Sequence, residues 1–292
     1  MSVYEHTYRP YEGPLTAQSS RFLVIPRHAY RGVFKSKLFI GVFAVSVVCT
    51  LVLAILIYLP HNVNALALFQ VSPDNVPHVG GNSFRIWLSF QTGFAFLMTV
   101  LIGPVLVSRD LTNNALPLYL SRPFSRAEYL LGKASVLLII LSFMTWVPGL
   151  LLFVFQSYLS GFAWFSDHLF IASGVFLTSA AWLVLLTLGS LTLSAWIKWR
   201  LAASGALFAM FTIPLAITTM ISELFRTPWA GLFSPSTLLK FISDALFHYQ
   251  SSNDFDPWMV LPVWASWAGI AGFVVVLLWL LSRRVQAYEV VV

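Results

Sequence analysis

Long apolar runs alternate with short polar joints along most of this chain. The runs cover 38–59, 84–107, 134–158, 169–197, 201–221 and 258–282, and charged side chains fall only at their edges. A run of about 18 or more apolar residues is long enough to cross a membrane as a helix. The pattern therefore predicts an all-α integral membrane protein with six transmembrane helices. The polar joints are a cytoplasmic N-terminus at 1–37, a cytoplasmic segment at 108–133, an outer loop at 222–257 and a cytoplasmic tail at 283–292.

Three of those joints carry a helical pattern of their own. Arg27, Arg31 and Lys35 recur four apart, while Phe22, Ile25, Ala29, Tyr30, Val33 and Phe34 cluster away from them. Such a basic amphipathic stretch predicts a helix lying in the headgroup layer, with Arg27, Arg31 and Lys35 at the membrane surface. In 108–133, apolar Leu116, Leu118 and Leu120 sit among Arg109, Asp110, Arg122 and Arg126. That spacing predicts a short amphipathic helix, which Pro117 bends or shortens. Ser121, Arg122 and Pro123 then predict a turn, because proline disfavours helix in the residue before it. In the outer loop, Leu238, Leu239, Ile242, Ala245 and Leu246 repeat at helical spacing behind Ser234 and Pro235. They predict a short helix on or dipping into the outer leaflet.

Composition and charge sharpen this picture. The chain of 292 residues is 58% hydrophobic and 10% charged, with a formal net charge of +6. Soluble domains average about 25% charged residues. The positive balance does not point to nucleic acid, because the basic residues flank apolar runs, where they set topology. Of the 17 Lys and Arg, only Arg85, Arg226 and Lys240 fall outside if the N-terminus is cytoplasmic. The expectation is therefore both termini in the cytoplasm. The first run reads as an uncleaved anchor rather than a signal peptide, since no small-residue cleavage pattern follows it. Cys49 is the single cysteine, so no disulfide forms within the chain.

The chemistry that is missing narrows the function. No Asp, Glu or His sits at the centre of a run, which disfavours a proton-coupled carrier. Gln91 and Gln156 are the large polar side chains within runs and are expected to bond neighbouring helices. No Ser–His, paired-Asp or HExxH arrangement suggests an intramembrane protease. The Gly132–Lys133 pair lacks the rest of a phosphate loop, since Ala127 and Ala134 stand where Gly and Ser or Thr are needed. No catalytic, cofactor or metal site is expected on this chain. His61, His78, His168 and His248 read as solvated loop residues, lacking ligand spacing on a predicted helix.

A second run ending in Gly103–Pro104, then SRDLTNNALPLYLSRPFSRAEYLLGK, then a third apolar run resembles the permease subunits of ABC type-2 (export-type) transporters. The matching residues are Asp110, Leu116, Leu120, Ser121, Arg122, Pro123, Ser125, Arg126, Tyr129, Leu130, Gly132 and Lys133. Asn113–Asn114 departs from the small pair many members carry. The resemblance implies a subunit of an ATP-driven exporter in the bacterial inner (plasma) membrane. It implies pairing with a second permease, identical or related, and docking by cytoplasmic ATPase subunits that hold ATP and Mg. It also implies that Arg109, Asp110, Leu116, Pro117, Leu118, Leu120, Ser121, Arg122, Pro123 and Arg126 form the ATPase-coupling element. An alternative from another class is a scaffold that passes ATPase motion to an outer-facing partner without moving a substrate.

Overall fold

The structure is a computed structural model that describes residues 30, 34, 36–62, 66, 79–112, 126–197, 199–249 and 261–284, with the backbone alone described at 105–112 and 126–127. Among these residues every regular element is a helix. In chain order they are α1 (Lys37–Tyr58), α2 (Gly81–Thr112), α3 (Arg126–Ser142), α4 (Trp146–Ser160), α5 (Phe162–Asp167), α6 (Leu169–Trp196), α7 (Arg200–Phe225), α8 (Pro235–Leu246) and α9 (Val263–Arg284), with single 3-10 turns at Leu59–His61 and Pro228–Phe233. Six helical stretches are long and apolar enough to cross a membrane, and they make this an integral membrane protein.

The bundle is built around α6. Half of its most apolar stretch is buried, against 22% for α7 and α9 and 17% for α1. In lipid, water expulsion does not drive helices together, so close packing between small residues does. The sequence of α6 supplies these residues at Gly174, Ser179, Gly189, Ser190 and Ser194. Among the described residues the most extensive helix–helix packing joins α6 to α2. There Gly103 of α2 lies so close to Ser190 that any side chain at 103 would clash with it. Gly149 of α4 is pressed likewise against Val175 and Trp87. The outward faces of α1, α7 and α9 keep large apolar side chains exposed, among them Val48, Leu51, Ile217, Met220, Val275 and Trp279. These are the faces that a hydrocarbon solvent covers.

Three elements differ from the simple sequence pattern. The third apolar run is two helices, α3 and α4, separated by a turn at 143–145. Pro148 has no N–H for the Met144 carbonyl and its ring crowds that carbonyl. Thr145 meanwhile turns its hydroxyl back to Leu141 O at 2.8 Å. The stretch around Trp164 and Asp167 is the helix α5, not a loop. It doubles back because Gly161 adopts φ 91°, a left-handed conformation that glycine takes without strain.

The third difference is α8. Ser234 caps it by accepting from Thr237 N, and Pro235 occupies its first turn. Its apolar face, expected at a leaflet, is buried on protein: Leu238, Leu239 and Ile242 are all inaccessible or nearly so. The helix packs on α9, α6 and α7. Gly269 of α9 makes the room, since a Cβ there would stand 2.8 Å from a Leu238 methyl. On the opposite face Asp244 meets Arg85 of α2 at 2.9 Å, and the Arg85 guanidinium lies 3.6 Å over the Tyr249 ring. Burial pushes the Asp244 carboxyl above its ordinary range, against the lowering effect of Arg85 and Lys240.

Candidate functional site

The polar segment between the second and third apolar runs leaves the bundle from one end of α2 and returns at the start of α3. Arg109 and Asp110 lie in the last turn of α2, and Arg126 is the first residue of α3. Leu116, Pro117, Leu118, Leu120, Ser121, Arg122 and Pro123 lie outside the described residues, as do Arg27, Arg31 and Lys35. What the structure shows is the frame that holds this segment.

α2 is 32 residues long. At 1.5 Å per residue that is about 48 Å, against roughly 30 Å of hydrocarbon. The apolar run ends at residue 107, and the helix continues to Thr112, about 8 Å further. The polar stretch therefore begins as a rigid extension of a spanning helix rather than as a separate loop from 108.

A proline in the interior of α2 should weaken this lever, because residue 104 offers no N–H to the Val100 carbonyl. The neighbouring helices repair the gap. Ser204 of α7 donates to Val100 O at 2.9 Å, and Ser194 of α6 donates to Pro104 O at 3.0 Å. Together with the Gly103–Ser190 contact, these bonds fasten this part of α2 to both α6 and α7. Hydrogen bonds between membrane helices contribute about 0.6 kcal/mol each on average.

The return limb is also seated. Tyr129 is 1% and Lys133 8% exposed on α3, with the Lys133 ammonium 5.7 Å from the Tyr129 ring centroid. Gly132 and Lys133 stand inside a helix, not in a loop that precedes one. At the same end Arg284 of α9 lies over Trp196 of α6, and Trp196 Nε1 donates to Leu280 O at 3.3 Å. Buried hydroxyls of α6 at Thr178, Ser179, Thr187 and Ser190 have no hydrogen-bond partner. Among the described residues no group of three or more His, Cys, Asp or Glu is placed to hold a metal.

The sequence predicted a polar segment at 108–133 and did not show what braces it. Gly103–Pro104 marked the end of the second run. Nothing marked Ser190, Ser194 and Ser204 as its partners, because small hydroxyl residues are common throughout membrane helices. Comparison with protein-family models found no match for this chain, and comparison with curated proteins found none either.

Proposed function

We propose that this chain is the membrane-spanning subunit of an ATP-driven exporter of the ABC type-2 kind, worked by a separate ATPase. The observation that supports the reading is the 32-residue α2, whose last turn contains positions 109 and 110 and whose Val100 and Pro104 carbonyls accept from α7 and α6. A force applied to 109–126 would move α2 as a lever, and the clasp at Val100 and Pro104 would pass that movement to the centre of the bundle. In this reading Leu116, Pro117, Leu118 and Leu120 meet an apolar groove on the ATPase. Arg109, Arg122 and Arg126 pair with its acidic rim, with Asp110 and Ser121 beside them. Arg122–Pro123 forms the stiff corner. The distribution of Lys and Arg favours a cytoplasmic position for this end. Exposed apolar faces on α1, α7 and α9 leave room for a second permease.

The test is purification of the tagged full chain from native membranes in mild detergent. An associated cytoplasmic ATPase is expected, whose ATP hydrolysis responds to reconstitution with this subunit. Arg122→Glu and Pro123→Gly are expected to abolish that response while membrane insertion is unchanged. Absence of any ATPase, or a normal response in both variants, would overturn the reading.

A further inference from the structure

A cleft opens at the end of the bundle opposite residues 109–126. Its volume is about 410 Å³, within the range of roughly 300–1,000 Å³ typical of small-molecule sites. Ile57 and Gln156 form its buried floor, and Pro60, His61, Trp164 and His168 stand around them. The turn at Gly161 brings Trp164 back over the site, where its ring stacks on His168 at 4.3 Å and packs on Phe153 at 5.7 Å.

The polar groups in this cleft form one directed chain. His61 Nδ1 lies 3.0 Å from Ile57 O, and a carbonyl only accepts, so Nδ1 carries the proton. In the neutral ring Nε2 is then an acceptor. It lies 3.2 Å from Ser160 Oγ, so Ser160 donates to it and its one proton is used. Ser160 must therefore accept from Gln156, whose Nε2 is 2.9 Å away. The amide is thereby turned so that Oε1 is the atom left over. Gln156 is only 6% exposed, and its Oε1 has no partner. His168 is oriented in the same way, with Nδ1 on Trp164 O at 2.9 Å and Nε2 left as an acceptor.

A buried carbonyl oxygen without a donor costs about 1–3 kcal/mol, so its retention beside a cavity marks a place where a donor arrives. Among the described residues no Asp, Glu, Lys or Arg lines the cleft, so none of them offers a counter-charge for an ionic ligand. Ile57, Val79, Pro60 and Trp164 supply apolar and aromatic surface. Tyr158 and Phe162, at 84% and 81% exposed, extend apolar surface along the same end of the bundle.

We propose that this cleft binds a neutral hydroxyl-bearing head group of the glycerol type, with a hydroxyl donating to Gln156 Oε1 and a second reaching His168 Nε2. The source is an uncharged amphiphile or a free polyol. The site does not depend on an ATPase partner. The probe is a monoacylglycerol with a diazirine on its acyl chain close to the head group, added to the full chain in phosphatidylcholine nanodiscs. After irradiation the labelled residues are mapped by mass spectrometry. Labelling is expected in 57–61 and 156–168. It should fall at least fivefold in Gln156→Leu, and likewise in His168→Phe, which keeps the stacking surface but removes Nε2. Exposed Ser89→Ala on α2 should leave it unchanged, and size-exclusion profiles should match the parent for all three. Competition by unlabelled monoacylglycerol alone assigns the amphiphile; equal competition by free glycerol assigns the polyol. Labelling confined to other surfaces, labelling insensitive to both variants, or competition by neither compound would overturn the proposal.

Discussion

Two glutamines in this chain look alike in sequence and differ in what surrounds them. Gln91 of α2 is fully buried between α1 and α2. Its Oε1 accepts from Ser46 at 2.6 Å, and its Nε2 donates to Ser46 O and Thr50 Oγ1, both at 3.0 Å. Thr50 in turn donates to Ser46 O. Every group in that knot has a partner, so it acts as a clasp that fixes how two spanning helices face each other. Gln156 of α4 has one half of its amide engaged by Ser160 and the other half buried without a partner, in a residue that lines a cleft. The comparison separates two uses of buried polarity. A satisfied network stabilises one arrangement, and a half-satisfied one leaves a buried polar atom at a cost.

The largest expected effect comes from breaking the closed side of the comparison. Gln91→Leu removes three side-chain hydrogen bonds and leaves Ser46 and Thr50 to their own helix. At about 0.6 kcal/mol per interhelical bond, a loss of roughly 2 kcal/mol is expected in reversible unfolding in mixed micelles. A change below a few tenths would show that the clasp adds nothing. Arg85→Ala comes next, because it cuts the tie between α2 and α8 near the open end. It removes a partly buried ion pair and a cation–π contact with Tyr249. A loss of about 1–2 kcal/mol is expected, together with faster hydrogen exchange in α8.

A smaller effect concerns pH at the same tie. The folded-state pKa of Asp244 is raised by burial, so the folded chain holds that proton more tightly than the unfolded chain. Its contribution is therefore fully present below the ordinary carboxylate range near 4 and is lost as pH rises through the raised folded value. Unfolding followed from pH 7 downward should show this gain in the parent and not in Asp244→Asn. Equal slopes would remove the burial argument. The smallest effect belongs to the open side. Gln156→Leu removes an unpartnered buried carbonyl along with one hydrogen bond, so stability should stay within about 0.5 kcal/mol or rise. A loss as large as that of Gln91→Leu would make the two sites equivalent and erase the contrast.

The two sites also show where sequence reading stops. Both glutamines lie in apolar runs, and the pattern assigns both to helix–helix bonding. That holds for Gln91, whose partners Ser46 and Thr50 sit one turn apart on α1. For Gln156 the outcome depends on residues distant in the chain. His61 comes 95 positions earlier and reaches the site through Ser160, a contact 99 positions apart that no local spacing announces. His61 and His168 read as solvated loop residues, yet they wall a cleft. The same limit applies to Ser194 and Ser204, which donate to Pro104 O and Val100 O, 90 and 104 positions away.

The sequence by itself determined that this chain lives in a membrane and crosses it with six apolar helices. The reason is thermodynamic: apolar runs of that length have one stable solvent, and in it backbone groups must bond within the helix. It also determined that the spans hold little titratable chemistry and that a charged segment joins the second to the third. The tertiary structure decided which helix is central, because only packing shows that Ser190 and Val175 of α6 meet Gly103 and Gly149. It decided that α8 spends its apolar face on protein, because Gly269 lies opposite Leu238. It decided, too, which buried polar atoms are satisfied and which wait for a partner. Hydrogen-bond satisfaction is a property of positions in space, and residues far apart in sequence set it.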